Sequence, residues 1–407
     1  MRKTLSFLTI MVGGHGFANI GAYFYHLFMG RLLIPSDYGA LQSLISLSNI
    51  LSVPTVTLNT VVAKFVSTYV GKGEKEMISS LYYQLRKFLF IFLIIGGALF
   101  LLFSNPIMKF LHLENWVNVL ILDLALFLGL INFLNRATLQ GLSLFVPLTI
   151  TQFIEAFGKL IFGVVAVLAG LRVPGAFGAF VLVVFISYGY MVTVLHKKLG
   201  KPSYRPLPIR AMGRYAIPSA LMTIGVTALY NTDVILVRHF LSAYEAGLYA
   251  ALSVLGKIIF FGTAPVVTTM FPLVSEAHAR GERYHRIFLL SLMFLVAIAG
   301  SVTLLFTILP TFMMKLLIGS QYLDAAVYLA PFSLFLSLCA VIYLFVNFFL
   351  SIHRTRAVYV VVAGAIVQAV ALSLFHPDIS TVITISLSVT TLLTVILSFY
   401  YISVARS

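Results

Sequence analysis

Of the chain's 407 residues, 60% are hydrophobic and only 10% charged, and the mean hydropathy is +1.04. No water-soluble globule hides that much apolar surface in a core, so the composition excludes one and specifies an integral membrane protein. The formal net charge of +15 is then a matter of topology and anionic lipid headgroups and does not call for nucleic acid.

A helical span needs about 20 mostly apolar residues, and twelve such segments follow one another: 5–33, 38–70, 87–110, 116–138, 143–170, 174–196, 212–240, 245–275, 285–309, 325–351, 357–375 and 380–402. The first begins with Arg2 and Lys3 like a secretory signal, but its apolar run continues past any small-residue cleavage site, so it reads as a retained helix. His15, Asn19, Tyr23 and His26 recur along it at helical spacing. On the second segment Gln42, Ser46, Asn49, Thr57, Thr60 and Lys64 fall on one face, and Pro54 promotes a kink. Lys64 has two readings: it closes a polar stripe that faces a watery cleft, or it snorkels to headgroups from a position about two turns before Gly71.

The fourth segment carries Asp123 in its outer half and Arg136 near its inner end, facing either headgroups or substrate. In the fifth, "TQFIEAFGKL" holds Gln152 and sets Glu155 and Lys159 four apart, the spacing of an ion pair. That pair is either a neutral stitch between helices or a working site, with Glu155 exchanging a proton or sodium ion and Lys159 binding an anion. The seventh, "YNTDVILVRHF", places Asn231 and Asp233 deep enough for an ion-coupling site and Arg238 nearer the outer surface. Lys257 on the eighth is a further cavity candidate, and Pro265 a second kink candidate. The single cysteine, Cys339, rules out an intrachain disulfide. His112, His353 and His376 stand alone near helix ends, and no metal-ligand cluster, phosphate-binding loop or nucleophile motif is present.

Lys and Arg of short loops stay on the cytoplasmic side. With the N-terminus inside, nineteen basic residues fall in cytoplasmic loops and only Arg31, Lys109, Arg172, Arg238 and Lys315 opposite, which supports an even helix count and two cytoplasmic termini. The chain also repeats itself. A shift of 208 residues lays Asp37–Glu74 over Glu245–Glu282 with ten of 38 positions identical, among them Gly39, Thr55, Thr60, Ser67, Gly73 and Glu74. The expected architecture is therefore all-α, with two pseudosymmetric six-helix lobes around a central cavity: residues 1–196, a basic cytoplasmic linker 197–211, and residues 212–407. The same shift carries His15, Asn19 and Tyr23 onto Thr223, Thr227 and Asn231.

The stretch "GRLLIPSDYGALQSLISLSNILSVPTVTLNTVVAKFVSTY" resembles the opening of the oligosaccharide flippases, the polysaccharide-biosynthesis membrane proteins of the multidrug/oligosaccharidyl-lipid/polysaccharide exporter superfamily. There a basic residue and "FVS" often end the second helix, as Lys64 to Ser67 do here. "RATLQGLSLFVPLTITQFIEAFGKLIFGVVAVLAGLRVPGAFGAF" is similar to that family's fourth to sixth helices, including Gln152, Glu155 and Lys159. Many members have fourteen helices where twelve are read here, so two that elsewhere form a lipid-tail groove are missing.

The resemblance implies a flippase, not an enzyme, that moves a polyprenyl-diphosphate-linked oligosaccharide from the cytoplasmic to the outer leaflet of a prokaryotic cytoplasmic membrane. Alternating access of the two lobes would be coupled to H+ or Na+ through Glu155 or Asp233, with no other cofactor. Lys64, Lys159, Lys257, Arg31 and Arg238 are the cations available to the diphosphate, and the polar stripes are available to the sugars. The implied partners are membrane lipids and polysaccharide polymerase or assembly proteins, and lobe pseudosymmetry predicts that a monomer suffices. The alternative is a cation-coupled multidrug exporter of the same superfamily, which would present acids and aromatics to its cavity; buried bases at least match buried acids here. A membrane polymerase or glycosyltransferase would need a large acidic loop, and the longest loop, "HKKLGKPSYRPLPIR", has no acid.

Overall fold

The protein was described from a computed structural model covering residues 21–406 apart from Glu114, Gly281 and His353, so His15, Asn19 and His353 lie outside the described residues. No strand occurs among the described residues. Helix α1 covers 21–32. It is followed by α2 (Pro35–Leu51), α3 (Val53–Lys72), α4 (Lys75–Leu102), α5 (Ser104–Phe110), α6 (Val117–Gly141), α7 (Phe145–Ala166) and α8 (Arg172–Leu199). The second half comprises α9 (Ile209–Leu229), α10 (Thr232–Phe240), α11 (Ala243–Ala279), α12 (His285–Ile308), α13 (Pro310–Leu317), α14 (Leu329–Ser351), α15 (Arg356–Leu374) and α16 (Ile379–Arg406).

Eight helical stretches are long and apolar enough to cross a membrane, or ten when the bent pairs α2–α3 and α9–α10 each count as one span. One of them, Phe145–Leu199, has 55 residues, which at 1.5 Å per residue far exceeds a hydrocarbon core of about 30 Å. It is a hairpin. Gly170 (φ 88°) and Arg172 (φ 41°) reverse the chain, and α7 packs back on α8. Counted as two spans, the hairpin brings the candidates among the described residues to eleven at most, and α1 is the described end of the first expected segment. The third span begins earlier than hydropathy indicates, at Lys75, because its polar first turns continue the same helix.

The chain forms two compact units, Met1–Leu33 with Leu51–Ala220 and Ile34–Ile50 with Leu221–Ser407. Residues 34–50, which chain order alone would assign to the first lobe, thus pack with the second. In the first unit α6 is central, packed by α3, α4 and α8, with Val61, Val66, Leu81, Ile131, Leu134 and Leu195 in the core. In the second, α14 is central among α11, α12 and α16, and buries Phe332, Phe335, Phe345, Phe348 and Phe349. Apolar side chains such as Phe88, Phe92, Ile94 and Ile95 are left exposed along α4, as a lipid-facing surface requires.

The 208-residue repeat holds at the level of single hydrogen bonds. Thr55 and Thr263 are both buried, and their hydroxyls donate to the equivalent carbonyls of Ser52 and Phe260. Glu74 N–H donates to Tyr69 O at 2.9 Å, and Glu282 N–H to Ala277 O at 2.8 Å. The halves differ at one place. The second span bends by 46° between α2 and α3, just before Pro54, whereas α11 runs through Pro265 without a break. A break in the helix therefore accompanies Pro54, while at Pro265 the helix is continuous. The bend also divides the stripe expected on one face: Gln42, Ser46 and Asn49 belong to the second unit, Thr57 and Lys64 to the first. Helical periodicity carries a face only along an unbroken axis.

The basic linker is strapped to α4. Ser79 Oγ donates to Lys201 O and Ser80 Oγ to Arg205 O, each at 2.8 Å, and Gln84 Nε2 donates to Arg205 O at 2.6 Å.

Candidate functional site

Among the described residues, each unit holds a polar cluster between its helices. The first lies where α6, α7 and α8 meet. Small residues permit the approach: a Cβ on Gly158 would stand 2.6 Å from Val183 Cγ1, and Gly21 of α1 rests on Ala156 of α7. Glu155 forms an ion pair through Oε2 with Arg136 Nη2. Its Oε1 accepts from Ser187 Oγ at 2.6 Å and from Asn132 Nδ2 at 3.4 Å. Lys159, expected to pair with Glu155, instead sets its ammonium 4.5 Å from the centre of the Tyr25 ring, within electrostatic range of Glu155. The Tyr25 hydroxyl is anchored to Ala176 O at 2.9 Å. The i,i+4 spacing puts Glu155 and Lys159 on one face, but a planar guanidinium from the facing helix takes the carboxylate.

The second cluster is built on the break in the seventh span, where α9 and α10 meet at 44°. The break frees Leu229 O from its usual partner four residues on, and the buried Gln368 of α15 supplies a donor in its place at 3.0 Å. Gln368 Nε2 also reaches Ser386 Oγ of α16 at 3.0 Å, while its Oε1 is buried and unpartnered. Ser386 is hydrogen-bonded to Tyr249 of α11, whose hydroxyl donates to Asp233 Oδ2 at 2.6 Å. Val234 N–H donates to Asp233 Oδ1 at 2.9 Å. Asp233 is fully buried.

Beside it, Asn231 Oδ1 accepts from Lys257 Nζ at 3.1 Å and from Asn49 Nδ2 at 3.4 Å. Lys257 Nζ also lies 5.7 Å from the Tyr230 ring centre. Asn49 and Lys257 are equivalent under the 208-residue shift, so one amide oxygen is shared by a symmetry-related pair of donors.

The remaining predicted residues are more scattered. Arg238, placed by sequence near the outer surface, is 7% exposed and directs Nη1 at Ser36 O, 3.4 Å away. Lys64 and Arg31 are exposed, Tyr23 and Gln152 half-buried, and Gln42 buried. The side chain of Thr60 lies outside the described residues. Among the described residues no group of three or more His, Cys, Asp or Glu is placed to hold a metal ion.

Sequence reasoning missed Asn132, Ser187, Tyr249, Gln368 and Ser386. One signal was readable: Asn132, Asn135 and Arg136 form an i,i+3,i+4 polar stripe on an otherwise apolar helix.

The fold is shared with solved membrane transporters. An inward-facing multidrug resistance MATE family transporter of the MOP superfamily superposes with a TM-score of 0.77 at 12% identity, covering 94% of this chain and 95% of that one. The lipid II flippase MurJ in an inward closed conformation gives 0.74 at 10% identity, covering 96% and 87%. A point mutant of the Vibrio cholerae MATE transporter VcmN gives 0.67 at 13% identity, covering 100% and 98%. No curated protein matches by sequence. The likeness defines the fold of this chain as that of these multi-helix membrane proteins. The chain belongs to the family described as polysaccharide biosynthesis protein, whose profile it matches over residues 28–327.

Proposed function

We propose that the protein is a flippase that carries a polyprenyl-diphosphate-linked oligosaccharide from the cytoplasmic to the outer leaflet of a prokaryotic cytoplasmic membrane by alternating access. The observation that carries this reading is the state of the two half-buried lysines. Lys159 and Lys257, one in each unit, rest on tyrosine rings, and Lys257 on a neutral amide, while the nearby acids are engaged by other donors. Each ammonium is within electrostatic range of its unit's acid, Glu155 or Asp233, but in direct contact with neither, so a cation in largely apolar surroundings keeps capacity for an anion. A diphosphate meets that demand, and a cationic drug does not.

Lys159 and Lys257 are the primary hosts of the headgroup, with Lys64, Arg31 and Arg238 as further cations along its route. His15, Asn19, Tyr23, Gln42, Asn49, Thr60, Gln152 and Asn231 offer hydrogen bonds to the sugars. Asp233 is the stronger coupling candidate of the two acids. Its donors are neutral and an unpartnered carbonyl oxygen of Gln368 lies in the same network, as H+ or Na+ uptake would favour, whereas Glu155 is already neutralised by Arg136. The termini are cytoplasmic, a monomer suffices, and polymerase or assembly proteins act downstream.

The test is a leaflet-to-leaflet flipping assay in proteoliposomes with a fluorescent polyprenyl-diphosphate oligosaccharide. Wild type should flip it, and Lys159→Gln and Lys257→Gln should each lose flipping while remaining folded. Efflux of cationic dyes without lipid flipping would move the protein to the drug exporters.

A further inference from the structure

Three donors from two helices converge on one carboxylate in the first unit. They are the guanidinium of Arg136 and the amide of Asn132 on α6, and the hydroxyl of Ser187 on α8. A fork of guanidinium N–H groups flanked by an amide and a hydroxyl is also the donor set that binds phosphate oxygens. Lys159, one turn along α7 from Glu155, adds an ammonium held on the Tyr25 ring. The pair is not sealed: the side chains of Arg136 and Glu155 retain 21% and 20% exposure.

We infer that Glu155 is a resident competitor for an anion site formed by Arg136, Asn132, Ser187 and Lys159: its carboxylate fills the site when empty, and the diphosphate of the lipid-linked substrate displaces it. The choice of diphosphate rests on the function proposed above; the competition rests on the geometry alone. With Glu155 in place, Arg136 and Lys159 are left one net positive charge. With the carboxylate displaced they present two cations to a group carrying one negative charge on each phosphorus.

Occupation by Glu155 solves a problem the empty site would otherwise have. The Asn132 amide also donates to Val184 O at 3.2 Å, but a guanidinium and a hydroxyl left facing one another within the membrane without an acceptor are costly. An internal carboxylate meets their demand without binding so tightly that the substrate cannot replace it, and it makes release reversible. A purely structural stitch predicts something different. Removing its charge would weaken the fold and bring no gain in ligand affinity.

The experiment measures binding of farnesyl diphosphate, with farnesol as the uncharged control, to the full-length protein in lipid nanodiscs. Glu155→Gln should bind farnesyl diphosphate at least about tenfold more tightly than wild type, the size of one charge-assisted hydrogen bond regained by the ligand. Arg136→Gln should lose the binding, and Glu155→Gln should bring no gain in the Arg136→Gln background. Unchanged or weaker binding by a folded Glu155→Gln protein, with wild type still binding, overturns the competitor role and leaves the flippase reading standing. If neither wild type nor Glu155→Gln distinguishes farnesyl diphosphate from farnesol, the diphosphate substrate itself fails and takes this inference with it. Should Glu155→Gln not fold, Glu155→Asp keeps the charge but shortens its reach to Arg136, and must show an intermediate gain; no gain there overturns the inference equally.

Discussion

Gly39 of α2 and Gly247 of α11, 208 residues apart and equivalent in the repeat, lie backbone to backbone. A Cβ on Gly39 would stand 2.8 Å from Gly247 N, and one on Gly247 only 2.1 Å from Pro35 O. Both obstacles are backbone, which cannot swing aside as a side chain can. Gly→Ala inside a helix ordinarily stabilises by roughly 0.5–1 kcal/mol; here overpacking should reverse the sign and cost about 1–3 kcal/mol or more. Gly247→Ala is therefore expected to lower the thermal midpoint of the purified protein. Gly262→Ala, on the same helix with nothing within 4 Å of the added methyl, should raise it slightly. Equal effects at the two positions would show that α2 does not sit on α11 as described.

The membrane spans were legible because each is a long apolar run, and length alone separates a membrane helix from other structure. The repeat was legible because glycine, threonine and glutamate matches recur where backbone geometry needs them, as the paired Thr55 and Thr263 bonds show. Packing partners were not. The spacing of Glu155 and Lys159 speaks only about α7, while the carboxylate answers to Arg136 across the interface. Asp233 stood out as an acid in an apolar run, but Tyr249, Ser386 and Gln368 are ordinary residues of membrane helices until the fold brings them together. The break at Tyr230 and Asn231 left a trace in "NTD", a run of helix-starting residues within a span.

The Asp233 network separates a stability effect from a functional one. Asp233→Asn keeps one oxygen, enough to accept from Val234 N–H, while its new amide N–H can donate to the Tyr249 hydroxyl where the carboxylate accepted from it. It should fold near normally while flipping in proteoliposomes becomes insensitive to an imposed ion gradient. Asp233→Ala removes the acceptors of the Tyr249 hydroxyl and Val234 N–H, leaving Tyr249 with Ser386 alone, which costs roughly 1–3 kcal/mol, and should lower the thermal midpoint as well. Gradient-dependent flipping by a folded Asp233→Asn protein would remove Asp233 from coupling.

The linker's attachment to α4 rests on neutral hydrogen bonds more than on charge. The ion pair between Arg205 and Glu76 is well exposed, at 60% and 66% for the two side chains, and exposed pairs contribute little. The donors Ser79, Ser80 and Gln84 hold the carbonyls of Lys201 and Arg205. Combined replacement of the three by alanine should speed chymotrypsin cleavage after the exposed Tyr204, between the two held carbonyls, several-fold, whereas Glu76→Gln should change it little. The reverse order of effects would make the ion pair the fastening.

Asp378 caps the start of α16, its Oδ1 accepting from Thr381 N–H at 2.7 Å. That backbone hydrogen bond holds its carboxyl below the usual aspartate range. A depressed folded-state value means that the ionised form stabilises the fold. The contribution is complete above the ordinary aspartate value of about 3.9 and is lost as pH falls through the lower folded value. Hydrogen exchange at the Thr381 and Val382 amides should therefore be well protected at neutral pH, with protection falling at pH values below the aspartate range. Asp378→Asn keeps the acceptor oxygen, so it should retain most of the protection and lose its pH dependence, while Asp378→Ala should lose protection at every pH. An unaltered pH profile in Asp378→Asn would assign the acid sensitivity of this helix end to another group.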